Sequence, residues 1–423
     1  MRSWKRSFYV IWFAELIAIA GFNTTTPIIP LFLRDLGITE PGRLNYWNGL
    51  SQSASALALA LFAPIWGSLA DGYGRKPMIL RAMFGGAVLI SLMALTTEPW
   101  QVFVLRTLQG CVTGTVAAAT VYVASTVPKE ETGYRLGLLQ MAIFLGSSIG
   151  PLFGGIVADA AGPKMNFLAT GAILAFSGLL VLRFAREEFT PSPMPGSILR
   201  KAVPDLSPAL RNPALAALLL VTFSVQFASA IAVPILPLVV LHMAGAGPNV
   251  GTRSGLIIGA GSLAAALAAA AVGRVSGRVG YGRTLVGCVA GAMLFYTFQG
   301  FARTPDQLLW LRIGAGIFLG GTMPSVNALI ARLCESGRQG ATYGLSSSVA
   351  SAGMALGPAV GAVVATWAGY PFVFFTASGI LLATGLIVVR ASEHGITFSS
   401  GSDAQGPGPE LRPGSEDSGP TGS

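Results

Sequence analysis

"GSLADGYGRKP", residues 67–77, separates two long apolar runs with a cluster of charge and glycine. Asp71, Arg75 and Lys76 surround Gly72 and Gly74. Glycine reaches the positive φ that a tight reversal often needs. The stretch therefore predicts two apolar helices folded back on each other, with basic residues held at one end. A weakened copy, "GRVSGRVGYGR", occupies residues 273–283, with Gly277 where the first has Asp71.

The surrounding chain has the same character. It has 423 residues, 52% hydrophobic and 11% charged, whereas soluble globular proteins carry about 25% charged residues. Its 54 glycines fall largely inside apolar runs, where membrane helices accept them. The composition predicts an all-α, polytopic membrane protein. The net charge of +9 resides in short turns rather than along one face, which argues against a nucleic-acid partner. Cys111, Cys288 and Cys334 are scattered and suggest no disulfide framework. The start, "MRSWKRSFYVIWFAELIAIAG", has the basic head and apolar stretch of a leader. Glu15 in mid-stretch and the continuation to Leu33 predict a retained span instead.

A membrane-spanning helix needs ~20 mostly apolar residues. Twelve stretches qualify: 8–33, 44–70, 78–97, 100–126, 136–160, 166–185, 213–240, 254–273, 284–302, 307–331, 340–366 and 371–389. With these spans, twenty Lys and Arg fall on one side and five on the other. The excess marks the cytoplasmic side, so both termini are expected there, in a multi-pass protein of the plasma membrane. Residues 186–211 are polar, basic and Pro-rich and read as a cytoplasmic linker. It would join a bundle over 1–185 to a second over 212–391. Residues 392–423 have little to bury and read as a disordered cytoplasmic tail.

The two halves repeat each other. "PIIPLF" from Pro27 returns as "PILPLV" from Pro234, 207 residues on. "GSLADGYG" from Gly67 returns from Gly273, 206 on. Arg106 in "VLRTLQG" matches Arg312 in "WLRIGAG", and Pro151 matches Pro358. Chance placement of Gly and Pro would not hold that offset. Two parallel six-helix halves are the layout of many secondary transporters.

These motifs resemble the major facilitator superfamily over residues 8–391. Gly67, Leu69, Ala70, Asp71, Gly74, Arg75 and Lys76 are similar to its signature between the second and third spans. Arg106, Gln109 and Gly110 resemble its fourth-span motif. Gly146, Gly150, Pro151, Gly154 and Gly155 resemble the fifth-span motif of the twelve-span drug/proton antiporters. The run from Tyr46 to Arg81 looks most like multidrug exporters of the MdtG type. The resemblance implies two pseudo-symmetric six-helix bundles, the major facilitator fold. It also implies that Asp71 meets the start of the eleventh span near Gly340, with a neighbouring Arg, and latches the cytoplasmic gate. The alternative is a merely solvated turn. Around Pro151 the small residues suit either two halves that rock on each other or static packing; Gly255, Gly259 and Gly261 in the eighth span offer a matching surface.

Among eighteen acids, Glu15 alone lies deep within a span. A carboxylate there costs a few kcal/mol unless paired or protonated, which suits it to carry a proton. The opposing reading is a side chain reaching back to the cytoplasmic interface. Arg106 cannot carry a proton; it either tunes Glu15 or reaches outward. A central cavity is expected to use Asn23, Gln109, Gln140, Gln226 and Asn327 as polar groups. Phe22, Tyr122, Phe144, Phe223, Phe227 and Tyr343 would supply aromatic surface. The resulting expectation is a proton-coupled exporter of small lipophilic or cationic compounds, acting by alternating access, with no cofactor or metal and as a monomer. The alternative is a proton-linked or facilitative carrier for a specific metabolite such as a sugar or siderophore. Two His and no clustered ligands speak against an enzyme, and no phosphate-binding loop suggests a nucleotide-driven pump.

Overall fold

The computed structural model describes residues 3–187, 212–245, 249–333 and 339–393. Most of the expected linker and almost all of the expected tail lie outside these residues. The described chain is helical throughout, with no strand among the described residues. In the first half, α1 (Ser3–Thr24) and α2 (Ile28–Asp35) form one bent rod, followed by α3 (Pro41–Tyr73) and α4 (Arg75–Met93). Next come α5 (Pro99–Val112), α6 (Thr115–Thr126), α7 (Lys129–Ala161) and α8 (Pro163–Phe184). The second half contains α9 (Pro213–Ala232), a 3-10 turn (Val233–Ile235), α10 (Leu236–Ala244) and α11 (Val250–Val279). It ends with α12 (Tyr281–Gly300), α13 (Pro305–Leu333), α14 (Gln339–Trp367) and α15 (Tyr370–Glu393).

Ten rods among the described residues are long and apolar enough to cross a membrane, counting α1–α2, α5–α6 and α9–α10 as single rods. The other two, α3 and α12, have 33 and 20 residues. Helices satisfy their own backbone polar groups, so they suit a hydrocarbon medium. Large apolar side chains also face outward: Trp310 is 69% exposed and Leu61 62%. In water such a surface would be an aggregation hazard; in lipid it is the expected exterior.

The repeat in the sequence is a repeat in the backbone. Gly74 alone joins α3 to α4 at φ 98°, and 206 residues on Gly280 joins α11 to α12, also at φ 98°. Gly162 (φ 86°) alone joins α7 to α8, and Gly369 (φ 93°), with Ala368, joins α14 to α15. Only glycine takes that conformation without steric cost. The first rod of each half bends at matching prolines, Pro27 and Pro234. Proline lacks the N–H that would continue the ladder. Each half has its own apolar core, around Phe32, Met83 and Phe167 in the first and Ile235, Tyr296 and Phe374 in the second.

The symmetry fails in the fourth rod. The fourth rod breaks between Val112 and Thr115, with Gly114 at φ 121°. The corresponding α13 is continuous from Pro305 to Leu333.

Candidate functional site

A cavity of about 940 Å³ lies between the halves. Phe22 and Asn23 of α1, Gln52 and Trp66 of α3, Arg81 of α4 and Arg106 and Gln109 of α5 line one side. Gln226 and Ser229 of α9 and Ser351 and Met354 of α14 line the other. It extends to Ala70 and Met78, beside the Gly74 turn.

The opposite end is closed by contacts between halves. Asn45 Nδ2 donates to Thr366 Oγ1 at 3.4 Å, Asn48 Nδ2 to the Pro234 carbonyl at 2.9 Å, and the Ala359 amide to Ser53 Oγ at 3.0 Å. Ser148 Oγ donates to the Gly259 carbonyl at 2.9 Å. At the rim, the Asp159 carboxylate accepts from the amides of Gly251 (3.0 Å) and Thr252 (2.6 Å). That carboxylate of α7 thereby caps the N-terminus of α11, where free amides and the helix dipole favour negative charge.

The fifth-span motif shows how the small residues divide this work. Gly146, Gly150 and Gly154 recur every four residues and occupy one face of α7, against the backbone of α1 at Leu16, Ala20 and Thr24. Pro151 and Gly155 turn toward α11. A Cβ on Gly155 would fall on the Gly251 carbonyl, and one on Gly255 would fall on that of Pro151. Gly259 faces Ser148, whereas Gly261 faces Arg312 of its own half. Most of the motif therefore packs its own bundle, and a narrower strip makes the contact between bundles.

Glu15 is fully buried on α1. Its Oε1 accepts a hydrogen bond from Thr115 Oγ1 at 2.7 Å, and its Oε2 has no partner among the described residues. Thr115 is the first residue after the break in the fourth rod and lines the cavity. The carboxyl thus sits one side chain behind the cavity wall.

Arg106 points into the cavity. It donates from Nη1 to Gln109 Oε1 at 2.9 Å and from Nη2 to Gln52 Oε1, while Nε has no partner among the described residues. Among the described residues no bond joins it to Glu15. Arg81 stacks 3.6 Å above the Trp66 ring, and the Trp66 indole donates to the Cys111 carbonyl at 2.6 Å. Arg312, the counterpart of Arg106, is buried and donates to the Tyr296 hydroxyl at 3.0 Å, away from the cavity.

Other expected cavity residues separate into two groups. Phe22, Asn23, Gln109 and Gln226 line the cavity. Phe223 and Phe227 stack on each other at 5.3 Å on α9, beside Gly353 and outside the lining. Tyr122 is buried and its hydroxyl donates to the Arg186 carbonyl. Phe144 is half-buried and Gln140 and Asn327 are exposed, none of them in the lining. The side chain of Tyr343 is outside the described residues.

The structure places Gly67 and Asp71 on α3, Gly277 on α11 and Gly340 on α14, and the surroundings of these four residues lie outside what it describes. The described part of the Gly74 turn has its own anchor. The amides of Arg75 and Lys76 donate to Glu187 Oε1 and Oε2 at 2.9 and 2.8 Å. Lys76 Nζ donates to the carbonyls of Leu182 (3.0 Å) and Ala185 (2.7 Å) at the end of α8.

The pattern of the Major Facilitator Superfamily matches residues 11–295 and again 218–411. The chain belongs to the major facilitator superfamily. Among curated members, it is 34% identical over 381 residues to the multidrug resistance protein MdtG of Rahnella sp., covering 90% of this chain and 92% of that one. It is 33% identical over 384 residues to the MdtG of Salmonella typhimurium, covering 90% and 94%. Solved structures share the superfamily fold. The nucleoside transporter NupG superposes with a TM-score of 0.76 at 13% identity, covering 90% of this chain and 99% of that one. A bacterial homolog of the human lysosomal transporter Spinster superposes at 0.74 and 13%, covering 93% and 98%.

Sequence reasoning missed several residues of this superfamily member's site. Thr115, Gln52, Arg81 and Trp66 join the cavity only through the break and through helix packing. Gly114 inside an apolar run was the available signal. Asp159 and Glu187 act through backbone amides of distant helices, and no local spacing betrays that.

Proposed function

We propose that this chain is a secondary transporter that exports small lipophilic compounds in exchange for protons by alternating access. The observation that carries the reading is Glu15, wholly buried behind Thr115 in the wall of a large cavity between the halves. Charge on that carboxyl costs several kcal/mol in such surroundings unless it is compensated. Proton and substrate then compete for one site. The MdtG relatives are multidrug resistance proteins by name, which supports a broad substrate range.

In this reading α3 and α12 bring the spans to twelve, and the bundles are 1–185 and 212–391, joined by 186–211. The Lys and Arg distribution supports cytoplasmic termini. The cavity then opens to the cytoplasm and the Asp159 end is the closed outer face, the state that loads substrate. Asp71, with Gly67, Gly74, Arg75 and Lys76, acts at the cytoplasmic gate, where the opposite state closes. Arg106 holds the cavity side of the site. The mostly apolar wall suits a lipophile better than a sugar. Its two guanidinium groups, Arg81 and Arg106, suit a neutral or anionic lipophile better than a cation.

The test is expression in a drug-sensitive host and uptake into energised inverted vesicles across a compound panel, wild type against Glu15→Gln. Proton-driven accumulation by wild type and its loss in the variant support the reading. Accumulation that survives Glu15→Gln removes the coupling mechanism.

A further inference from the structure

We propose that Thr115 is the positioning residue through which Glu15 exchanges its proton with the cavity; the inference rests on Glu15 being the proton carrier. The geometry is specific to this pair. The Glu15 carboxyl is closed off from solvent, and its one hydrogen bond among the described residues, at 2.7 Å, comes from the Thr115 hydroxyl. That same residue borders the cavity. Thr115 therefore stands between the cavity and the acid.

The backbone is built to put it there. Gly114, at φ 121°, ends the ladder of α5, where the Thr113 amide and hydroxyl both bond the Gln109 carbonyl at 2.9 and 2.8 Å. The chain restarts at Thr115 as the first residue of α6, free of the preceding turn. In the second half this device is missing. Residues 206 positions on are Gly320 and Gly321, inside the unbroken α13. The residue 207 positions after Glu15 is Thr222, whose hydroxyl bonds its own helix at Leu218. At the matching positions of the second half the acid is replaced by Thr222, the Thr115 hydroxyl by Gly321 and the break by continuous helix.

No charged group competes for the carboxyl among the described residues. On the elements around it, Arg106 bonds Gln52 and Gln109, Tyr122 bonds the Arg186 carbonyl, and Arg135 bonds Glu131 and Tyr9. On α1 itself, Lys5 pairs with Glu131 and Arg6 lies over Phe184, where Arg183 of α8 also lies. Proton uptake then balances as a two-hop relay. A hydronium ion in the cavity gives its proton to Thr115 Oγ1 as the hydroxyl proton passes to Glu15 Oε1. Water remains in the cavity, Thr115 is again a neutral hydroxyl, and Glu15 is a neutral acid. Release is the same relay in reverse: Glu15 returns its proton to Thr115 Oγ1 as the hydroxyl proton passes to a cavity water.

The experiment uses the full chain in lipid nanodiscs, with the proton as probe. Time-resolved infrared absorption after a pH jump follows the protonated-carboxyl stretch. Wild type should show a band that Glu15→Gln removes. Thr115→Ser should retain the wild-type rate. Thr115→Val should slow the change by about tenfold or more, in proportion to the loss of the bonded hop, and shift the band as the hydrogen bond disappears. If the valine variant does not fold, Thr115→Cys, a weak donor of similar size, should show intermediate slowing. A wild-type rate in the folded valine or cysteine variant overturns the relay and leaves Glu15 as carrier. A band unaffected by Glu15→Gln overturns the proton-carrier reading itself.

Discussion

The carboxylate of Asp159, near the end of α7, holds the amide of Gly251, at the start of α11, at 3.0 Å. One residue from the first half thus caps a helix of the second, at the end where the halves are closed. Such a cap contributes about 0.3–1 kcal/mol. Asp159→Ala should move the balance toward opening at that end by about two- to fivefold, the same energy expressed as a population. Spin labels at Lys164→Cys and Arg253→Cys read the separation; an unchanged distance distribution would show that the cap is decorative.

Backbone proximity between α7 and α11 is the stronger constraint. A side chain at Gly255 would fall on the Pro151 carbonyl and approach Leu152 Cα at 2.9 Å. Gly255→Val should therefore hold that end open and abolish transport, while the thermal melt stays cooperative. Gly287 has open space around it, so Gly287→Ala serves as the neutral control. Equal transport by both variants would contradict the packing argument.

Glu187 stabilises the Gly74 turn by capping α4 through two amides. Replacing a helix cap with alanine costs about 1 kcal/mol. Glu187→Ala should lower the melting temperature in detergent, and Glu187→Asp should recover part of the loss. A melt identical to wild type would remove Glu187 from the anchor.

The repeated arginines should separate function from stability. Arg312 packs within the second bundle against Tyr296 and Gly261, whereas Arg106 faces the cavity with Gln52 and Gln109. Arg312→Ala should destabilise the fold, because it leaves the Tyr296 hydroxyl without this partner. Arg106→Ala should leave the melt near wild type and weaken substrate binding. Binding isotherms and melts on the two variants decide between this and equivalent roles.

The sequence made the architecture readable because lipid imposes simple rules. Apolar runs long enough to span, basic turns on one side and a 206–207 residue offset all follow from those rules, and Gly74 with Gly280 turned out to share one backbone angle. The deep position of Glu15 was legible for the same reason. Its partner was not. Thr115 sits in "GTVAAAT", a run as apolar as any membrane helix, and only the positive φ of Gly114 turns it into a break. The facing of aromatic residues was equally hidden. Helical period places Tyr122 and Phe22 on plausible inner faces, but packing sends Tyr122 to the Arg186 carbonyl and Phe22 to the cavity. The Lys76 and Glu187 contacts depend on where α8 ends, which no property of residues 67–77 encodes.

The central claim is that one buried carboxyl couples proton entry to export. Inverted vesicles carrying wild type or Glu15→Gln, with an imposed proton gradient and a transported compound from the panel, test it most directly. Wild type should accumulate the compound against its gradient, and Glu15→Gln should only let it equilibrate downhill. Accumulation by Glu15→Gln to the wild-type level would contradict the account.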